Sequence, residues 1–155
     1  MIRAISHIAL RVEDVAEAES YYCRLFVLEV AFRDLTVEGV QRSLRPGTTW
    51  ADAAERGFRP GLSSLWREGF NLALEQAPAD GTGNVDHLGL LVEQEDVAET
   101  AVRARELGCT VLVERADIVV FNDRYGLRWE LTSTQYDSPA DQSTGARLGA
   151  WLDLR

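Results

Sequence analysis

The sequence predicts an α+β fold built from two copies of one module, each consisting of a strand, a helix and three further strands. The first observation is a repeat: Ile5–Val12 reads ISHIALRV and Val85–Val92 reads VDHLGLLV, with a histidine third in each copy. The second is that both strands lead to the same helix start, DVAE, at Asp14–Glu17 and again at Asp96–Glu99. An internal repeat of this kind predicts the architecture before any single motif is interpreted.

The composition is that of a soluble globular domain. The chain has 155 residues, of which 46% are hydrophobic and 26% are charged. A chain of this size can bury a stable hydrophobic core without disulfides or structural metals. Its net charge of −9 argues against nucleic acid as a partner, since phosphate binding needs a basic surface. No apolar run approaches the roughly 18 residues of a membrane helix, and no signal peptide is recognisable. We therefore expect a cytoplasmic protein without membrane association, whose Cys23 and Cys109 are reduced thiols.

The first module is predicted over residues 1–77. Asp14 is the expected N-cap of its helix, because Glu17 follows three positions later in an acidic version of the capping box. The periodic hydrophobic pattern weakens over residues 34–61. We predict a variable connection there that crosses one end of the sheet, and long connections of this kind often form lids or binding loops. The predicted elements are strands at 4–12, 28–33, 63–67 and 70–76, a helix at 15–25, a short helix around 50–56 and a hairpin turn at Glu68-Gly69.

Residues 78–84 are predicted to be a linker, and residues 85–132 the second module. Asp96 is the expected N-cap of the second helix, which ends at Gly108, a favourable residue after a helix. The predicted strands are 85–92, 110–114, 118–122 and 127–132. The tail, residues 133–155, is polar; Trp151 and Leu152 indicate a docked terminal segment, and a loose end is the alternative.

Strand alternation places two histidines and one carboxylate on the face that the helices do not cover. If the second helix covers Leu90 and its alternate neighbours, His87 points to the opposite, concave face, and the repeat places His7 there too. In the last strand Trp129 and Leu131 form the covered pair, which leaves Glu130 on the concave side. Two imidazoles and one carboxylate can form a facial triad with coordination positions open for substrate. A hydrogen-bonded structural histidine is the alternative, but the equivalent positions in the two copies favour metal.

These residues also carry a resemblance to a known superfamily. The segment SHIALRVED before a helix containing Tyr21-Tyr22, the segment DHLGLLV, and the segment FNDRYGLRWEL at Phe121–Leu131 look like the vicinal oxygen chelate superfamily. That superfamily includes glyoxalases, fosfomycin-resistance thiol transferases, extradiol dioxygenases, epimerases and bleomycin-binding proteins. The resemblance spans residues 4–132. It implies paired βαβββ modules in a cupped mixed sheet, with helices on the outer face, often within a homodimer. It also implies a divalent metal (Zn, Ni, Mn or Fe) bound by His7, His87 and Glu130.

Three positions depart from the superfamily pattern. The first helix commonly ends in Leu-Gly, but Phe26 follows Leu25 here, and Arg124 replaces the proline of an Asp-Pro-x-Gly turn. Glyoxalase-like members also take a fourth ligand from the place in the first module that corresponds to Glu130, and counting from the hairpin glycine puts Ala73 there. Glu75 lies one pleat further along the same face. It is either a fourth ligand after a register shift, or a general base or rim carboxylate beside a three-ligand metal, the arrangement we favour.

The predicted function is that of a divalent-metal-dependent glyoxalase-like enzyme, of lyase, isomerase or transferase type, acting on a small molecule with vicinal oxygens. A metal-free protein that sequesters an antibiotic or metabolite is the alternative, although such relatives generally lose the metal positions. A ring-cleaving dioxygenase ranks third, because those enzymes typically use an additional pocket histidine. The candidate substrate-binding residues are Arg11, Trp66, Asn71 and Arg128, with Trp50 either at the mouth of the site or in the core.

Overall fold

The computed structural model describes residues 2–81, 83–123, 126–134, 151, 152 and 154. It confirms the α+β class and the mixed sheet, with few helices. In chain order the elements are β1 (Ile2–Val12), α1 (Val15–Phe26), β2 (Glu29–Val37), β3 (Val40–Leu44), α2 (Trp50–Glu55), β4 (Pro60–Arg67), β5 (Phe70–Gln76), a 3₁₀ turn (Ala79–Gly81), β6 (Val85–Val92), α3 (Gln94–Glu106), β7 (Thr110–Arg115), β8 (Ile118–Asn122), β9 (Arg128–Thr132) and β10 (Trp151–Leu152).

Contacts divide the chain into two units, and the division falls inside β1. The first unit comprises Met1–Ala9 and Val85–Tyr136, and the second comprises Leu10–Asn84 and Asp137–Arg155. The N-terminal part of β1 therefore belongs with the second copy of the repeat. This matters for function because His7 lies in that part.

The first unit is a five-stranded sheet in the order β1-β6-β9-β8-β7. β6 and β9 are parallel, whereas β8 is antiparallel to both β9 and β7. Helix α3 covers one face, where Val97 and Ala101 pack against Val92, Val119 and Leu131. Leu90 and Trp129 pack against the same cluster. Because side chains alternate along a strand, the residues between these positions point to the face opposite α3, as the sequence predicted.

Helix α3 begins earlier than predicted. Its N-cap is Glu93, which has extended backbone angles and makes no side-chain capping hydrogen bond, so the expected cap at Asp96 is wrong. Gln94 and Glu95 form the start of the helix. Asp96 therefore lies in the first turn, where an acidic side chain is favourable beside the helix N-terminus. The predicted end is confirmed, since Gly108 follows the helix at φ +77°.

The second unit is a five-stranded sheet in the order β10-β3-β2-β4-β5. Helix α1 packs on β4 and β5, and Asp14 caps it as predicted by accepting a hydrogen bond from the Glu17 amide at 2.9 Å. The stretch 34–61 contains the end of β2, strand β3 and helix α2. Trp151 and Leu152 pair in parallel with Ser43 and Leu44 of β3, so this end of the chain is docked. Tail residues 135–150, 153 and 155 lie outside the described residues.

A buried carboxylate ties α2 to α1 in the second unit. Glu19, 7% exposed, accepts hydrogen bonds from Arg33 at 2.6 and 2.8 Å, from the Trp50 indole at 2.8 Å and from the Ser63 hydroxyl at 2.6 Å. Trp50 is therefore a core residue. Both cysteines are free thiols. Burial, together with the Glu19 charge, raises the pKa of the Cys23 thiol, and Arg33 opposes this shift.

The two module helices end in the same way but with different residues. The Leu28 amide bonds to the Cys23 carbonyl at 3.1 Å, and the Cys109 amide bonds to the Ala104 carbonyl at 2.8 Å. Val27, at φ +54° and 67% exposed, thus occupies the left-handed position that Gly108 fills in the second copy. No helix in the part of the chain that the structure describes is both long enough and apolar enough to span a membrane.

We expect Val27→Gly to stabilise the protein by about 0.5–1 kcal/mol. A left-handed conformation costs a residue with a Cβ about 1–2 kcal/mol, which exceeds the entropic cost of about 0.5–1 kcal/mol for introducing glycine. Urea unfolding measures the difference. The matched control is Gly108→Val, which should destabilise the protein, and a loss of stability in Val27→Gly would contradict the assignment.

Candidate metal centre

His7 and His87 meet on neighbouring strands of the first unit. His7 projects from β1 and His87 from β6, and they are 1% and 7% exposed. Their rings are nearly perpendicular, at 83°, and the two Nε2 atoms lie 2.7 Å apart. The repeat therefore brings its two histidines together, nitrogen to nitrogen, in a buried position.

Glu130 supplies a carboxylate to the same point. It lies in β9, where it pairs with Gly89 of β6, and it is 7% exposed. Its Oε1 lies 3.7 Å from Nε2 of His7, and its Oε2 lies 3.8 Å from Nε2 of His87. Leu131 packs under α3, so Glu130 points to the opposite face. Three donor groups of the types that bind divalent metals thus converge.

The spacing of these donors fits one cation. Two atoms that each lie about 2.1 Å from a metal are at most about 4.2 Å apart, and the three separations, 2.7, 3.7 and 3.8 Å, are all shorter. The donor set is also suitable, since two imidazoles and one carboxylate bind Zn, Mn, Fe or Ni and leave positions for substrate oxygens. Among the residues described, His7, His87 and Glu130 form a group that could hold a metal ion.

Each histidine is held by a contact at its other nitrogen. Nδ1 of His87 lies 2.8 Å from Oδ2 of Asp86, and Nδ1 of His7 lies 3.2 Å from the Ser6 hydroxyl. Arg128 in turn donates to both carboxylate oxygens of Asp86 at 3.2 Å. Metal-binding histidines usually have such a partner, because it fixes the ring and the tautomer.

Gly89 makes room for the His7 ring and was missed by the sequence analysis. A Cβ added at Gly89 would lie 2.3 Å from Cε1 and Nδ1 of His7, so no side chain fits there while the ring keeps its place. The sequence did hold a signal: the equivalent residue in the first copy is Ala9, and a glycine within a strand often marks a close approach.

Comparison with protein families decides the family. A model of the Glyoxalase/Bleomycin resistance protein/Dioxygenase superfamily matches residues 4–131. The chain belongs to this superfamily. Its members include metal-dependent glyoxalases, dioxygenases, epimerases and fosfomycin resistance proteins. No curated protein matches the chain.

Solved structures show the superfamily fold. The Mn(II)-bound glyoxalase from Novosphingobium aromaticivorans is 16% identical, with a TM-score of 0.59 over 99% of this chain and 42% of that chain. Methylmalonyl-CoA epimerase from Mycobacterium tuberculosis is 14% identical, with a TM-score of 0.56 over 84% and 87%. The 2,3-dioxygenase LapB from Pseudomonas sp. KL28 is 15% identical, with a TM-score of 0.55 over 83% of this chain and only 41% of that chain. At these identities the likeness shows the fold alone.

The other residues predicted for a superfamily site fall in two places. Arg128 lies in the first unit and contacts Asp86 and Asn122. The remaining four lie in the second unit: Arg11 near the end of β1, Trp66 and Asn71 as cross-strand partners, and Glu75 opposite Leu62. Asn71 is buried, and the side chains of Arg11, Trp66 and Glu75 are half-buried. Their roles in substrate binding or proton transfer stay predictions.

Proposed function

We propose that the protein is a divalent-metal-dependent enzyme of the glyoxalase-like type, acting on a small molecule that offers two neighbouring oxygens. Its metal ligands are His7, His87 and Glu130. The observation that carries this proposal is the convergence of these three residues, each at most 7% exposed, with donor atoms within 3.8 Å of one another. Two imidazoles and one carboxylate are a donor set that suits a divalent cation.

The chain itself holds and orients the reacting centre. A bound cation supplies Lewis acidity, which stabilises negative charge that develops on a substrate oxygen. Three protein ligands leave coordination positions for the two substrate oxygens. Proton transfer next to a carbonyl also needs a base within reach, and Glu75 is our candidate for that role, with a fourth ligand and a rim carboxylate as the alternatives.

The ligand set favours an enzyme over a sequestering protein. A metal-free binding protein does not require an inward-facing His/His/Glu group, yet His7, His87 and Glu130 are all buried here. Extradiol enzymes typically use a further pocket histidine, but the chain has two histidines and we assign both to the metal. We therefore place lyase, isomerase or transferase chemistry before dioxygenase chemistry.

The partners follow from the superfamily. Its members bind small-molecule substrates and often form dimers, and we propose a homodimer for this chain. The net charge of −9 speaks against nucleic acid. Arg11, Trp66, Asn71 and Arg128 are our candidate substrate contacts.

Elemental analysis of protein purified without a metal-affinity tag tests the proposal. We expect close to one equivalent of divalent metal per chain, removable by EDTA and restored by Zn²⁺, Mn²⁺, Ni²⁺ or Fe²⁺. The restored protein should also be more stable, by about 2.7 kcal/mol when the metal is at 100 times its Kd, which thermal unfolding measures. Protein that retains no metal and shows no stabilisation by any of the four ions would overturn the proposal.

A further inference from the structure

The contacts of Asp86 specify which nitrogen of His87 carries the proton. The Asp86 side chain is 6% exposed, and its Oδ2 lies 2.8 Å from Nδ1 of His87. An ionised carboxylate can only accept hydrogen bonds, so Nδ1 of His87 must donate. In the neutral ring the other nitrogen, Nε2, then carries a lone pair, which is the form that binds a metal ion.

Arg128 holds Asp86 in this orientation. Its guanidinium donates to both oxygens of Asp86 at 3.2 Å, while its Nε donates to the Asn122 side chain at 3.3 Å. The guanidinium is permanently charged, so it favours the ionised, accepting form of the carboxylate. The chain Arg128–Asp86–His87 therefore links a half-exposed cation to a metal-binding nitrogen through hydrogen bonds.

We infer that Asp86 and Arg128 are positioning residues that preset His87 for metal: Asp86 fixes the Nδ1 proton and the orientation of the ring, and Arg128 fixes Asp86. This inference rests on the proposed metal-dependent function.

NMR of protein labelled with ¹⁵N in the histidine rings tests this inference directly. The chain has two histidines, so four ring nitrogens report the two tautomers without overlap from other residues. We expect His87 to be protonated at Nδ1 before Zn²⁺ is added and to keep that proton when Zn²⁺ binds at Nε2. A His87 ring that carries its proton at Nε2 before Zn²⁺ is added would overturn the assignment.

Substitutions separate a positioning role from a structural one. Asp86→Ala should shift His87 toward the Nε2-protonated form and weaken Zn²⁺ binding by about 10–100-fold, the usual loss when the partner of a metal-binding histidine is removed. Asp86→Asn should keep the tautomer, since its carbonyl oxygen still accepts from Nδ1, and should lose less affinity. Arg128→Gln should lie between Asp86→Ala and wild type. The control is Arg103→Gln, which removes an exposed ion pair with Glu99 on α3 and should change neither measurement.

The two proposals can fail separately. If wild-type protein binds none of the divalent metals, the proposed function fails, but the metal-free spectra still report whether Asp86 sets the His87 tautomer. If metal binds but Asp86→Ala keeps both the tautomer and the affinity of wild type, the positioning role fails and the metal site stands.

Discussion

His87→Ala should abolish metal retention and leave the fold intact. The substitution removes one of the three proposed ligands, so the loss of affinity should exceed the roughly 100-fold upper range for removing the hydrogen-bond partner of a ligand. The fold should survive because Asp86 keeps its contacts with Arg128, and because the cluster under α3 lies on the other face of the sheet. Elemental analysis measures retained metal, and circular dichroism with thermal unfolding in EDTA measures the fold.

Glu130→Gln gives the same test for the carboxylate ligand. The amide keeps the shape of the side chain but removes its charge, so metal affinity should fall steeply while the β9 pairing with β6 remains. The matched control is Glu99→Gln on α3, whose carboxylate is exposed in an ion pair with Arg103. It should leave metal content at the wild-type value. Metal content that is unchanged in His87→Ala or Glu130→Gln would exclude the His/His/Glu assignment.

The proposed set of metal ligands could be predicted because it depends on two regularities. The repeat gives His7 and His87 equivalent places, and strand alternation gives Glu130 the face opposite Leu131. Both regularities are visible in the sequence without knowledge of strand register. The structure adds the distances, which show that three residues on three strands reach one point.

The contacts around the ligands could not be predicted in the same way. Asp86 is next to His87 in sequence, and neighbours in a strand usually point to opposite faces, so alternation separates two side chains that the structure joins. Arg128 contacts Asp86 across a separation of 42 residues, and nothing in the repeat links those positions. The first copy has Ser6 in place of Asp86, so symmetry between the copies gives no guidance either.

In the second unit, too, local elements could be predicted from the sequence but long-range side-chain contacts could not. The capping of α1, the hairpin at Glu68-Gly69 and the short helix at Trp50–Glu55 follow from local patterns, and all three are present. The buried Glu19 cluster joins residues up to 44 positions apart, and a glutamate on a helix normally reads as a surface charge. The burial of Glu19 depends on hydrogen bonds from Arg33 of β2 and Trp50 of α2, and only the tertiary structure shows these contacts.

Gly89→Ala should cost the protein both stability and metal, although it adds a single methyl group. The new Cβ would lie 2.3 Å from two atoms of the His7 ring, so the ring must leave its position or the strands must separate. Forcing an extra methyl group into a packed interior costs about 1–3 kcal/mol, and a displaced His7 no longer meets His87. Urea unfolding in EDTA measures the first effect, and Zn²⁺ titration measures the second.

A double-mutant cycle with His7→Ala isolates the cause. If the His7 ring is what Gly89 accommodates, Gly89→Ala should cost little in the His7→Ala background, because the obstructing ring is gone; the coupling free energy should then approach the single-mutant cost. Gly81→Ala is the control, since its Cβ would meet Ala77 at an ordinary 3.7 Å. Additive effects of Gly89→Ala and His7→Ala would mean that the methyl group strains the strand itself. Gly89 would then have no particular part in placing the His7 ring.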